Sequence, residues 1–443
     1  MTAKRVEPRI FKGTRDFLPE RMRVRQRVVE ALRSVFESFG FEPIETPAVE
    51  FHDILTGKSG EEADHLLFRL AYQDGRTLAL RYDLTVPLSR VVAMYGKSML
   101  FPFKRYQIQP VWRAEKPQKG RYREFLQCDV DTVGSASMAA DAEILLLACD
   151  AMETLGFADF TVALNNRKIM NGVYRALGVP EALHVFTSRA VDKIEKAGPA
   201  EVRRTLLQGR EGVSVPAAAA DALLDLIASA DLAEVEKTAG EDEEGRAGVE
   251  EVREILRIVS AHPQASKAVR YTPSMVRGLD YYTGPIFEMI IQEPRIGSLG
   301  GGGRYDGLVG LFSGDDLPAT GFSFGLERLI DALEASGKGA AEAGRPSDVL
   351  VTVFSRDLQK DSVEVAGELR KAGLRTEVYL DAGRKLKKQF DYANRRNLPV
   401  VIVLGPDEIE AGRLSVKWME RGAQETMPRA GAAKRILEGL GRL

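Results

Sequence analysis

The sequence predicts an α+β fold: an antiparallel-sheet domain interrupted by a helical insertion and followed by a smaller C-terminal α/β domain. Three observations predict it. Strand-like runs with short connections fill Leu78 to Gly134 and return at Arg270 to Ile291. Between them, from Asn171 to Val269, alanine- and leucine-rich stretches at helical spacing take over. Beyond a Gly-, Ala- and Pro-containing stretch at 339–346, strand and helix patterns alternate to the end. The domains expected are therefore 1–170 with 270–338, the insertion 171–269, a linker 339–346, and a tail domain 347–443.

The first helix is expected from Pro19 to Phe39, where Val24, Val28, Leu32, Val35, Phe36 and Phe39 recur at helical spacing between charged positions. Gly40 stops it. Phe41 to Val49 contains Pro43 and Pro47, each of which biases its predecessor toward extended backbone and withholds a ladder donor, so an edge or interface strand is expected. Lys104–Gln109 and Phe125–Val133 read as antiparallel strands. Ala217–Ala228 and Val249–Val259 read as helices of the insertion, broken by the acidic turn Gly240–Gly245. After the Arg270–Ile291 strands a glycine-rich loop is expected, and then Ala319–Leu333 as a strand running into a helix. In the tail, Val349–Phe354, Thr376–Leu380 and Val400–Leu404 are the expected strands, with helices between them.

Composition excludes several classes. With 44% hydrophobic and 28% charged residues, wholesale disorder is excluded. No run approaches the ~20 apolar residues of a membrane span, and Met1 to Arg15 lacks the apolar stretch of a signal peptide, so the cytoplasm is the expected location. Cys128 and Cys149 form neither a CxxC pair nor a cluster with the four scattered histidines, so no metal held by protein side chains is expected. The 62 basic and 64 acidic residues nearly cancel, so any contact with nucleic acid must come from local patches.

Four segments carry chemistry. Val111–Phe125 is an arginine-dense hairpin; from charge alone it is equally a solvated turn, but Arg113, Arg121 and Arg123 can present guanidinium forks to phosphate, and Phe125 a face to a base. Met275–Pro285 sets Arg277 near Tyr281 and Tyr282; adjacent strand residues face opposite ways, so only a bulge or turn would bring both tyrosines to one pocket. Gly297–Asp306 holds four consecutive glycines, either a plain surface loop or a place where backbone approaches a ligand closely; it lacks the GxxxxGK[ST] of a P-loop. In Ala319–Arg328, Arg328 stands either on a helix surface or within reach of a phosphate at the strand–helix junction.

In order and over nearly the whole chain, these segments resemble the three signature motifs of class II aminoacyl-tRNA synthetases. Motif 1 resembles the first helix and the strand ending near Pro47, motif 2 Arg113 to Asp131, and motif 3 Gly321 to Arg328. Arg277–Tyr282 and Gly300–Asp306 resemble the two histidine-specific motifs of the histidyl-tRNA synthetase family, and Gly13–Phe17 and Arg81–Thr85 match it too. The resemblance implies a class II antiparallel sheet of six or seven strands with a helical insertion, a C-terminal α/β anticodon-binding domain, and a homodimer formed through motif 1. It implies histidine–tRNA ligase activity on L-histidine, ATP with Mg2+, and tRNA(His).

By the same resemblance, Asp83 and Gln127, with Leu84 and Thr85 beside them, receive the α-amino group of histidine. Asp131 and Tyr282, with Tyr281, read the imidazole; polar readout of that kind rejects side chains lacking both nitrogens. Arg113 and Arg277 are the implied catalytic residues, bracketing the histidine carboxylate and the α-phosphate; Glu115 and Phe125 hold adenine, and Arg121 and Arg328 the terminal phosphates. Gln118 is implied to approach the tRNA acceptor end, and Arg384, Lys385, Lys387 and Lys388 form a basic face that meets RNA phosphates or only solvent. A paralogue with the same catalytic fold, the regulatory subunit of ATP phosphoribosyltransferase, is the competing reading; it generally lacks the tail domain.

Overall fold

A computed structural model describes residues 6–57, 64–118, 120–276, 281–338 and 344–442, arranged as two compact units, 1–342 and 343–443. The expected linker falls partly outside the described residues.

The Pro19–Ser38 helix opens the first unit with Pro19 at its first turn and buries Val24, Val28, Leu32, Val35 and Phe36 on one face. Gly40 ends it with φ +77°, a conformation that costs glycine nothing. The first unit's strands are β1 (Glu42–Pro43), β2 (Val49–Phe51), β3 (Phe68–Ala71), β4 (Thr77–Leu80), β5 (Phe103–Trp112), β6 (Glu124–Val133), β7 (Thr161–Asn166), β8 (Val269–Tyr271), β9 (Pro285–Ile290), β10 (Ser298–Arg304) and β11 (Ala319–Gly325). Its large sheet runs β1-β5-β6-β11-β10-β9-β7-β8, and β2-β4-β3 form a separate small sheet. The stretch from β5 to β7 is six antiparallel strands; β1 and β8 add short parallel edges, which makes eight strands rather than six or seven.

Between β7 and β8 the chain is helical, from Arg167–Ala176 to Pro263–Ala268. Its caps follow the sequence: Asn166, Asp231 and Asp242 each accept a backbone N–H with their side chains at a helix start.

The glycine run is not a loop. Ser298–Arg304 is β10, paired on both sides between β9 and β11. A Cβ on Gly302 would lie 1.9 Å from the Gly321 carbonyl oxygen, and one on Gly321 would lie 2.0 Å from Asp131 Oδ1. Glycine is required here for interstrand closeness, not for turning.

In that sheet the cross-strand register sets three rows: Arg105–Asp131–Gly321, Gln107–Asp129–Ser323 and Gln109–Gln127–Gly325. Because side chains alternate, Gln127, Asp129 and Asp131 share one face of β6. Two buried arginines brace the surroundings. Arg81 donates to the carbonyls of Thr46 (2.6 Å) and Pro110 (3.0 Å) and to Gln109 Oε1 (3.0 Å), fixing the proline-bearing segment against β5. Arg304 pairs with Asp141 and donates to the Ser135 carbonyl (2.9 Å), tying β10 to the Met138–Thr154 helix.

The second unit has one sheet, β13-β12-β14-β15-β16, made of β12 (Val349–Val351), β13 (Thr376–Val378), β14 (Val400–Val403), β15 (Arg413–Trp418) and β16 (Gln424–Pro428). The expected strand–helix alternation holds through β14. Then β15 and β16 pair antiparallel, since the five residues joining them are too few for a crossover. The helix that carries Lys387 and Lys388 runs from Leu386 to Arg395, and Asp381 gathers the Gly383 N–H (3.2 Å) and Arg384 Nε (2.8 Å) into the turn before it.

Gly302→Ala is expected to lower folding stability by at least about 1–3 kcal/mol through forced separation of β10 and β11. A urea unfolding midpoint equal to that of the unsubstituted protein would contradict the close-approach account.

Candidate active site

One cavity of about 590 Å³ lies over the β6–β11–β10 face of the first unit, within the size range of small-molecule sites. Of the residues expected to hold histidine, Asp83, Thr85, Gln127, Asp131, Tyr281 and Tyr282 line it. Of those expected to hold ATP, Arg113, Glu115, Arg121, Phe125 and Arg328 line it. Leu84 does not; it is fully buried behind the wall, its carbonyl 3.4 Å from Arg105 Nη2. Gln118 stands exposed at the hairpin tip outside the lining, and Arg277 lies outside the described residues. Arg384, Lys385, Lys387 and Lys388 belong to the second unit, where all four are exposed.

The acidic end is built on β6. Asp131, 4% exposed, lies 2.7 Å from Arg105 Nη2, and the Tyr305 hydroxyl donates to its other oxygen. Burial raises its pKa, while Arg105 and the Tyr305 hydrogen bond oppose the rise. Gln127 Nε2 donates to Ser323 Oγ (2.8 Å), and Ser323 is the direct cross-strand partner of Asp129, whose ionised form it favours. Asp83, at the start of the Thr85–Tyr95 helix, accepts the Val86 N–H (3.2 Å); burial lifts its carboxyl to about 6, against the pull of that bond and of Arg113.

Tyr281 and Tyr282 both face the cavity, edge to face with centroids 4.9 Å apart. They sit in a turn ahead of β9 rather than in a strand, so strand alternation does not separate them. Thr85 favours the ionised form of Tyr281, and Tyr281 that of Tyr282, but burial outweighs both. Burial raises both pKa values, which keeps the phenols neutral.

The basic end is built on the hairpin between β5 and β6. Arg113 stands one residue past the end of β5, its Nε donating to the Tyr82 carbonyl (3.1 Å) and its guanidinium 5.0 Å from the Phe125 ring centroid. Glu115 and Arg121 face each other across the hairpin at 3.6 Å, with Arg121 half exposed. Arg328 is not a surface residue of its helix; it donates to the carbonyls of Gly120 (3.1 Å) and Ser298 (2.6 Å), clamping the hairpin to the start of β10. Glu327 accepts from Arg25 Nη1 (2.8 Å) and from the Leu126 N–H (3.1 Å), so it is structurally committed.

Sequence reasoning missed Asp129, Ser323, Tyr305, Tyr122 and Asp192, all of which line the cavity, and Arg105 beneath it. Period-two alternation from Gln127 to Asp131 was a usable signal for Asp129. Nothing in the sequence signalled Asp192, which reaches the cavity from the helical segment between β7 and β8.

Chemically, the cavity joins a carboxylate-lined floor suited to a small cationic, hydrogen-bonding ligand to an arginine-lined mouth suited to phosphates. Among the described residues no group of three or more His, Cys, Asp and Glu side chains is placed to hold a metal ion, and no helix is long and apolar enough to cross a membrane.

Known proteins resemble this chain in sequence and fold. The histidyl-tRNA synthetase family profile matches residues 13–329, and an anticodon binding domain profile matches 348–439. The histidine–tRNA ligase of Aeropyrum pernix is 42% identical over 441 residues, covering 97% of this chain and 98% of that protein. That of Rhodopirellula baltica is 40% identical over 420 residues, 94% of each chain. The crystal structure of histidyl-tRNA synthetase from Nostoc sp. PCC 7120 superposes with a TM-score of 0.84 at 29% identity, covering 98% of this chain and all of that one. Matched along nearly its whole length by relatives in sequence and in fold, the chain belongs to the histidyl-tRNA synthetase family.

Proposed function

We propose that the chain is a histidine–tRNA ligase that works in two steps within the cavity described above. The observation that carries the reading is the cavity's polarity: Asp83, Gln127 and Asp131 at one end, Arg113, Arg121 and Arg328 at the other.

In the first step a carboxylate oxygen of histidine attacks the α-phosphorus of ATP in line. The bond from that phosphorus to the bridging oxygen breaks, and pyrophosphate leaves with its electron pair. Negative charge on the phosphoryl oxygens is met by Arg113 and Arg277, with Arg121 and Arg328 toward the terminal phosphates. Guanidinium groups fixed before reaction stabilise that charge more in the transition state than in the ground state. The backbone bonds of Arg328 and Arg113 hold two of these groups in place. Glu115 and Phe125 hold the adenine. Magnesium arrives as part of the ATP complex, consistent with its preference for substrate phosphates and retained water over a protein cage.

The floor selects the amino acid. Asp83 and Gln127, with Thr85, receive the α-ammonium group, while Asp131 accepts from an imidazole N–H and Tyr282 meets the other nitrogen. Arg105 and Tyr305 hold Asp131 from behind, which supports its presenting a fixed carboxylate. In the second step the 3′-hydroxyl of the terminal adenosine attacks the histidyl carbonyl and AMP departs; a phosphate oxygen of the adenylate takes the hydroxyl proton.

The second unit binds the anticodon arm through the exposed Arg384, Lys385, Lys387 and Lys388, and Gln118 approaches the acceptor end. The active form is a homodimer in the cytoplasm, joined through the first helix and the proline-bearing segment. The regulatory-subunit reading is disfavoured by the tail domain and by relatives that carry the ligase name over nearly the whole chain.

Histidine-dependent ATP–pyrophosphate exchange tests the function directly, and its absence together with binding to a phosphoribosyltransferase would establish the alternative. Arg277→Ala should lower the exchange rate by orders of magnitude in a folded protein; near-normal exchange removes Arg277 from the mechanism. Replacing Lys385, Lys387 and Lys388 together by alanine should raise the KM for tRNA in charging by about 10-fold or more, from lost phosphate contacts, and leave exchange unchanged. Equal tRNA kinetics would remove this helix from the RNA surface. Light scattering should give the mass of two 48.8 kDa chains, and a single-chain mass at working concentration would count against the dimer.

A further inference from the structure

We propose that Asp129 is a third acceptor for the α-ammonium group of histidine, beside Asp83 and Gln127, and that it enforces the requirement for an α-amino group. This rests on the histidine reading above and extends it to a residue which that reading leaves without a role.

Asp129 lies on the middle row of the floor, between Gln127 and Asp131 on the same face of β6, about 6.8 Å along the strand from each. It lines the cavity and is 2% exposed. Three buried oxygens of cavity residues have no hydrogen-bond partner among the described residues, and none belongs to a side chain in a close ion pair there: Asp83 Oδ2, Gln127 Oε1 and Asp129 Oδ1. A primary ammonium has three N–H donors and no acceptor, and so matches three such oxygens in number and kind.

Charge points the same way. Asp131 Oδ2 also lacks a well-aligned hydrogen bond, but Arg105 lies 2.7 Å from it and Tyr305 donates to the other oxygen. Asp129 faces the neutral side chains of Gln107 and Ser323 across the strands. Arg105 attracts it from the next row, while Asp131 and Asp83 oppose its ionisation. A buried carboxylate so placed gains most from a ligand that brings a full positive charge. Histidine carries that charge near pH 7 on its α-ammonium group, whereas its imidazole is largely neutral.

The test is histidine-dependent exchange with the full chain carrying Asp129→Asn, which keeps the shape and removes the charge. The KM for histidine should rise about 10- to 100-fold, the effect of losing one charged hydrogen bond, with the KM for ATP unchanged. Inhibition by histamine, which keeps the ammonium group, should weaken in parallel. Inhibition by imidazolepropanoate, which lacks that group, should stay as in the unsubstituted protein. An unchanged KM for histidine overturns the proposal, and so does a loss of imidazolepropanoate affinity equal to that of histamine. Should Asp129→Asn not fold, Ser323→Ala removes the hydroxyl that accepts from Gln127 and stands across the strands from Asp129, and the same split between the two inhibitors is expected; no split overturns the proposal. Failure of the unsubstituted protein to catalyse exchange would instead overturn the ligase reading itself.

Discussion

The buried pair of Arg105 and Asp131, closed by the Tyr305 hydroxyl, is the contact on which the rest of the first unit depends. Both charges are removed from water, a cost met only when geometry is good and each group keeps its partner. That demand fixes the β5–β6 register, in which Arg105 and Asp131 are direct cross-strand partners. It also forbids a side chain at position 321, since Asp131 Oδ1 already occupies the space a Cβ would need. Tyr305 follows directly on β10, so the same contact draws the glycine strand into the assembly. One ion pair thereby couples three strands and the wall of the cavity.

The cavity inherits its polarity from that arrangement. Carboxylates project from the floor because alternate residues of β6 face it, while arginines gather at the mouth because the hairpin between β5 and β6 folds back toward β10. Arg328 donates two N–H groups to backbone carbonyls and is thereby fixed at the cavity edge. Glu327, its neighbour, is used up by Arg25 and the Leu126 N–H and anchors the first helix to β6. Adjacent residues of one helix thus diverge in role because they point to different surroundings.

Much of this was legible in the sequence. The first helix, the strands flanking the hairpin and the strand running into the Leu326–Ala335 helix follow from hydrophobic spacing and from glycine and proline placement. Eleven residues expected to contact histidine or ATP do line one cavity, because ordered motifs carried them. Other features were not legible. Four consecutive glycines read locally as a loop, and only pairing with β9 and β11, whose backbones approach too closely for a Cβ, makes them a strand. Tyr281 and Tyr282 read as facing opposite ways until a turn placed both in the cavity.

By itself, then, the sequence determined the α+β layout, the insertion, the tail domain and the residue types that carry the chemistry, because those rest on periodicity and on motif order along the chain. Only the tertiary structure decided that Arg105 and Tyr305 hold Asp131, that Arg328 clamps the hairpin, and that Asp129 and Asp192 face the cavity. Each of these depends on which groups distant in the chain share a low-dielectric space, and a charge or hydrogen bond acquires its role only when that neighbour is in place.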